Sequence, residues 1–191
     1  IRHETVYRYT APLNYTIQQL RLTPRIDSHQ HTMHWQIDTP GQRHAFTDAF
    51  GNLCHMLTIT GSHDVVPIIA TGEIEVQALY QGRLHEKGPL SPLVFTTPTR
   101  LIAQTEAIQA FSKLHLRQKT GADLIALAEH ICSAVSYQSG ATEVTSTAHD
   151  ALQLGSGVCQ DHAHLFIACC HAQDIPARYV SGYIDSGSTG H

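Results

Sequence analysis

No stretch of this chain approaches the ~20 consecutive apolar residues of a membrane-spanning helix, and none has the charged start, apolar middle and small-residue end of a secretory leader. A membrane is therefore not an expected partner. The chain begins at Ile1 rather than Met, so a trimmed leader stays open. It also lacks a basic stripe with interleaved aromatics, and its net charge is -4, so nucleic acid is not an expected partner either. No CxxC pair occurs. The five cysteines, Cys54, Cys132, Cys159, Cys169 and Cys170, are odd in number and irregular in spacing. That excludes a disulfide framework and a zinc ribbon, and it fits a reducing, cytoplasmic setting. Charged residues are scarce at 15%, while 42% are hydrophobic, which allows a sizeable core and argues against disorder. Histidine is abundant instead. The 15 His are spread from His3 to His191, which does not make a single metal-binding tract.

The 191 residues suffice for one large domain or two small ones. Two halves differ in period. Val6 to Tyr9, Ile17 to Pro24, Met33 to Asp38, Leu53 to Thr60 and Gly72 to Leu79 are short β-branched, aromatic or alternating runs. Pro40-Gly41, Gly51-Asn52, Gly61-Ser62 and Gly82 punctuate them. This predicts an antiparallel, sandwich-like β domain over residues 1–90. Gly88 to Thr99 holds three of the eight prolines and reads as a linker. From residue 98 to 191 the period is helical. Leu124, Ile125, Ala128, Ile131, Cys132 and Val135 share one helix face, a weaker pattern runs from Arg100 to about Leu116, and Thr147 is placed to cap a short helix to Leu154. Cys159, Ala163, Phe166, Ile167 and Cys170 mark a further helix, starting near Gly157 and ending before Ile175-Pro176. Ala177 to Asp185 reads as a strand, and the last residues as a loop. The fold class is thus α+β.

The stretch LGSGVCQDHAHLF, Leu154 to Phe166, poses the functional question. The thiolate is the nucleophilic form of cysteine, and a free thiol has a pKa near 8.5. A helix N-terminus favours the thiolate through its unpaired N–H groups and dipole. Among the helical cysteines only Cys159 lies in a first turn. The dipole supplies roughly 0.3–1 kcal/mol, and up to about 2 when partly buried. Lowering a thiol from 8.5 to about 6 takes roughly 3.4 kcal/mol. A catalytic Cys159 therefore needs an imidazole beside it, held by Asp or Asn. Gly155 and Gly157 would allow a sharp turn that leaves the Cys159 N–H facing a bound carbonyl oxygen. The plainer reading is a small buried thiol on a core face.

Val135 to Ile184 resembles the nucleophile half of the bacterial transglutaminase-like superfamily. The matching blocks are GAT at Gly140 to Thr142, G-x-C-Q-D-x-A-H at Gly157 to His164, and IPARYVSGY at Ile175 to Tyr183. HETVYRYTAPL, QQLRLTPR and DAFGN (Asp48 to Asn52) resemble the β-rich region that precedes this core in bacterial members. The resemblance implies a partial papain-like core in which Cys159 opens a central helix. It also implies acyl transfer through a Cys159 thioester, as a cysteine protease, amidase or transglutaminase acting on peptide or protein substrates, with no cofactor and no metal. The family's His usually lies on a Ser-His-Ala-Trp-like strand soon after the GY, with its Asp on the next strand. Here Tyr183 is followed by only eight residues, and the only Trp is Trp35. His191 then reads as a loop residue, and the catalytic His and Asp are expected beyond residue 191, leaving this stretch inactive by itself.

Other candidates are weighed against that reading. Cys159, His162 and His164 form C-x-x-H-x-H, but positions i and i+5 of a helix diverge by about 140°, so three ligands to one ion are not expected. Asp161 in the first turn is expected to turn toward Arg178 or a backbone donor, and with His164 to act through hydrogen bonds rather than chemistry. Cys169 and Cys170 are expected as two thiols, since adjacent helical cysteines bridge only with distortion. The alternatives to an enzyme are a non-catalytic binding module on the same fold and a metal-dependent protein using His29, His31, His34, His44, His55 and His63.

Overall fold

A computed structural model describes residues 1–84 and 88–184. The chain divides into two compact units, Ile1–Leu90 and Ser91–His191. It is a mixed α and β protein, with an antiparallel sheet followed by a helical core.

The first unit is built from two long strands. β1 (Arg2–Leu20) and β4 (Leu53–Val76) pair antiparallel along most of their length, from Arg2↔Thr71 to Leu20↔His55. On the other edge of β4 lie β2 (Gln30–Asp38), paired with residues 69–76, and β3 (Gln42–Thr47), paired with residues 53–58. The separate strands expected at Leu53 to Thr60 and Gly72 to Leu79 are thus one strand, which runs through the turn expected at Gly61-Ser62. An irregularity replaces that turn. The register shifts between Arg8 and Tyr15, and the β4 positions in the core cluster change from odd (Leu57, Ile59) to even (Val66, Ile68, Ala70). An extra residue in one strand has this effect, because side chains alternate with period two. His63 pins the site: Nδ1 donates to the Gly61 carbonyl (2.8 Å), and Nε2 meets the Thr16 hydroxyl (2.7 Å). Leu20, Ile37 and these five β4 residues form one core cluster that spans the irregularity. At the β3–β4 turn, Asp48 accepts the N–H groups of Phe50 and Asn52 and the Asn52 amide. These hydrogen bonds hold its carboxyl well below the usual carboxylate range.

In the second unit the predicted linker is only partly one. Pro92–Thr96 forms a 3-10 turn whose Phe95 carbonyl accepts the Ala177 N–H (2.9 Å), and the Arg178 guanidinium lies over the Phe95 ring at 5.0 Å. A second 3-10 turn, Arg100–Ile102, precedes α1 (Glu106–His115), so the weak helical pattern from Arg100 is broken at Ala103. Then come α2 (Gly121–Ala134), β5 (Ser136–Tyr137), α3 (Ala148–Leu154), β6 (Ser156–Gly157) and α4 (Cys159–His171). Thr120 with Asp123, and Thr147 with Asp150, form reciprocal capping boxes. The backbone hydrogen bonds of Thr120 and Thr147 chiefly depress the pKa of each carboxylate.

The face of α2 is rotated from its expected position. Leu127, Ile131 and Val135 are buried and Leu124 packs beside them, whereas Ile125 is 68% exposed and Cys132 is also exposed. The apolar residues form two adjacent stripes, and only tertiary packing selects one. α4 is more deeply enclosed than one face implies: Leu165, Ile167, Ala168, Cys169, Cys170 and His171 are all buried, while Ala163 and Phe166 are half-buried. Fully buried Ala148 and Ala151 let α3 approach it closely. The strand expected from Ala177 does not form over residues 177–184, because no described segment pairs with it and a strand without a ladder has no hydrogen bonds to hold it. Asp185 and His191, with the readings attached to them, lie outside the described residues.

Candidate active site

Cys159 is the first residue of α4, and it is exposed. The other cysteine of α4's neighbourhood that reaches solvent is Cys132 of α2; Cys169 and Cys170 are buried, and burial pushes their thiols up to about 12 and about 11. They remain two free thiols. The plainer reading of Cys159 as a buried core thiol is therefore not what the structure contains.

The turn before Cys159 is built by local and distant parts together. α3 ends on Gly155, in the left-handed conformation (φ 68°) that glycine adopts without strain. β6 then pairs in parallel with β5, as Ser136↔Ser156 and Tyr137↔Gly157, with Ser136 N–H donating to the Gly155 carbonyl and Gln138 N–H to that of Gly157. The segment leaving α2 thereby fixes the segment entering α4. Gly157 is needed for a different reason than the sharp turn expected of it. A Cβ there would lie 2.7 Å from Asp161 Oδ2, so glycine makes room for that carboxylate.

Asp161 is 1% exposed. Its Oδ2 accepts the Val158 N–H (2.7 Å) and the Thr142 hydroxyl (2.6 Å). Of the two partners foreseen, the backbone donor is present; Arg178 instead stacks on Phe95. Val158 has no side-chain oxygen to return the cap, so the box at this helix start is one-sided. Thr142, from the GAT block, was not singled out by sequence, although the block itself was.

His162 lies one turn into α4. Its Nδ1 is 2.9 Å from the Val158 carbonyl and its Nε2 is 2.8 Å from the Val135 carbonyl. Each contact requires an N–H, so the ring makes one as neutral imidazole and both only as imidazolium. Both nitrogens face carbonyl oxygens, so neither is directed at an open position where an ion could sit. Among the described residues, no group of three or more His, Cys, Asp or Glu is gathered to hold an ion. His164 faces elsewhere. Its ring lies edge-on to Tyr179 at 5.7 Å, Nδ1 is buried without a partner among the described residues, and burial lowers its pKa, partly opposed by Asp161. The hydrogen-bonding role expected of it is absent at that nitrogen.

Among the described residues, no acceptor meets the N–H groups of Cys159 and Gln160, which point out of the start of α4. An exposed sulfur thus sits beside unpaired donors. This arrangement can attack an electrophilic carbon and hold an oxygen that becomes negative. No described side chain hydrogen-bonds the Cys159 thiol.

Residues 1–75 match the family described as the bacterial transglutaminase-like N-terminal region, and residues 113–191 match the transglutaminase-like superfamily. The chain is 29% identical over 201 residues to the uncharacterized protein ML0607 of Mycobacterium leprae, covering 95% of this chain and 69% of that protein. It is 27% identical over 204 residues to the uncharacterized protein Rv2569c of Mycobacterium tuberculosis, covering 96% and 65%. The chain therefore spans about two thirds of the length of these curated relatives. A crystal structure from Cytophaga hutchinsonii, described as a putative cysteine protease, superposes with a TM-score of 0.72 at 20% identity, over 92% of this chain and 63% of that one. At that identity the likeness establishes the fold.

Proposed function

On the match of residues 1–75 and 113–191 to transglutaminase-like families, we propose that Cys159 is the nucleophile of a thiol acyl-transfer enzyme acting on peptide or carboxamide bonds. The observation that carries this reading is the placement of Cys159: exposed, first in α4, and beside unpaired backbone N–H groups. The sulfur attacks the carbonyl carbon, and the oxygen takes up negative charge opposite the Cys159 N–H. The amine leaves with a proton, and water or a second amine resolves the thioester. The proton passes through an imidazole that this reading assigns to a histidine beyond residue 191, held by an Asp likewise beyond it. Hydrolysis is favoured over cross-linking, because cross-linking needs a site that excludes water in favour of an amine, and Cys159 is exposed. The substrate is a peptide or protein, no cofactor takes part, and the five free thiols suit the cytoplasm. No helix among the described residues is long and apolar enough to cross a membrane.

In the full-length native protein, Cys159→Ala is expected to lower peptide or ester hydrolysis by about 10³-fold or more, as loss of a catalytic nucleophile does. A variant that keeps most of its activity would show that Cys159 is not the nucleophile and would leave a binding module as the better account of the fold.

A further inference from the structure

Resting on the acyl-transfer reading, we propose that His162 is a positioning residue that aims the Cys159 N–H at the oxyanion by bracing the peptide unit to which that N–H belongs. A trans peptide is a rigid plane with the carbonyl of one residue opposite the N–H of the next. Val158 C=O and Cys159 N–H share such a plane. The carbonyl points into α4, where it meets the N–H groups of Asp161 (3.0 Å) and His162 (3.2 Å) and the His162 ring Nδ1 (2.9 Å). The Cys159 N–H therefore points out of the helix, where a substrate oxygen would arrive.

Backbone bonds hold the first carbonyl of any helix. The ring adds a rigid link to a second element. Its Nε2 reaches the carbonyl of Val135, the residue that caps α2 and whose own N–H bonds to the Ile131 carbonyl in the core. In its imidazolium form, which donates at both nitrogens, the ring links the two carbonyls without rotatable bonds of its own, so the position of the Val158–Cys159 plane is referred to α2. Asp161 holds the other polar group of Val158, its N–H. With both groups of Val158 tied, the plane has little freedom to tilt. Oxyanion donors work at 2.7–3.1 Å, and loss of one costs about 10²–10³-fold in rate, so a plane freed to tilt should lose a sizeable part of that factor.

The test uses the full-length protein with His162→Gln and His162→Ala, and two reagents read at Cys159 by site-resolved mass spectrometry. With p-nitrophenyl acetate, sulfur bonds to the carbonyl carbon, a tetrahedral oxyanion forms, and p-nitrophenolate leaves. With iodoacetamide, sulfur displaces iodide at a saturated carbon and no oxyanion forms. Acetylation should fall at least about tenfold in His162→Ala and less in His162→Gln, which keeps one amide donor, while alkylation changes by less than about threefold. Equal losses with both reagents, or unchanged acetylation, would overturn the proposal. Buried Cys169 and Cys170 report the fold in the same spectra. If both variants expose them, the ring is needed for folding and the positioning role falls. If wild-type Cys159 is alkylated but never acetylated, the acyl-transfer reading itself fails and takes this proposal with it.

Discussion

Removing the Asp161 carboxylate should loosen the whole helical unit as well as the turn beside Cys159. Asp161 is buried, and its Oδ2 accepts one N–H at 2.7 Å and one hydroxyl at 2.6 Å. Asp161→Ala leaves both donors without an acceptor. Hydrogen bonds to charged groups contribute about 1.5–3 kcal/mol each, but Val158 and Thr142 are only half-buried and water can partly return, so a total of about 2–4 kcal/mol is expected. For a unit of about 100 residues, each kcal/mol moves Tm by roughly 4–8 °C. Asp161→Asn keeps an acceptor and should lose less than Asp161→Ala. Thr142→Val removes one donor and should cost about 1 kcal/mol, with a coupling to Asp161→Ala of about 0.5–3 kcal/mol. The single Trp35 lies in the other unit, so the helical unit is best followed by alkylation of buried Cys169 and Cys170 with rising urea. Loss of less than about 0.5 kcal/mol in Asp161→Ala, the range of ordinary surface changes, would refute the view that this carboxylate holds the GAT block to α4.

Leu127→Ala should destabilise by about 2–5 kcal/mol, because the side chain is fully buried, while Ile125→Ala should stay within about 0.5 kcal/mol; urea denaturation that reversed the order would put the sequence-expected face of α2 back in the core. His115 and His164 have pKa values lowered in the folded state, chiefly by burial, with His130 and Arg117 adding to the effect at His115 and Asp161 opposing it at His164. The unfolded chain then binds more protons below about 6.5, so stability is full above that value and declines as pH falls toward the depressed folded values. Urea midpoints followed by helical circular dichroism between pH 7.5 and 5 (a range of roughly one unit above and more than one below the reference pKa) should fall, and less so in a His115→Gln, His164→Gln double variant; a flat or rising profile would contradict this.

What the sequence made legible was what is local. Thr147 and the helix after it, the end of α4 before Ile175-Pro176, and the Pro40-Gly41 and Gly51-Asn52 turns all depend on residues within a few positions of each other. Strand length was not local. Gly61-Ser62 carries turn chemistry, yet the strand continues because β1 pairs on both sides of it and His63 closes the irregularity with Thr16, 47 positions away. β3 was missed because QRHAFT is mostly exposed and shows no apolar alternation, and its existence depends on the edge that β4 offers. In α2, Leu124 with Leu127 and Ile125 with Ala128 present two equally periodic stripes; which one faces α4 is decided by what α4 places opposite.

The same division runs through the candidate site and explains which residues could be picked out. Cys159 at a helix start follows from a glycine turn and an apolar period, both within a dozen residues. The parts that hold it in place do not. Thr142 lies 19 positions from Asp161, and Val135 lies 27 from His162. His162 even suggested a metal ligand, because a histidine three residues from a cysteine resembles one until both nitrogens are seen to face carbonyls. Chemistry-bearing atoms are few and occupy characteristic local settings. The atoms that fix them are backbone carbonyls and hydroxyls from distant elements, which every sequence contains in quantity and only a fold selects. Asp161 illustrates the consequence: its charge lies two residues from a sulfur that must become negative, so by charge alone it opposes the nucleophile. Its hydrogen bonds to Val158 and Thr142 show what it does there, which is to shape the turn, with the carboxylate directed into the interior and the exposed sulfur left to the dipole of α4.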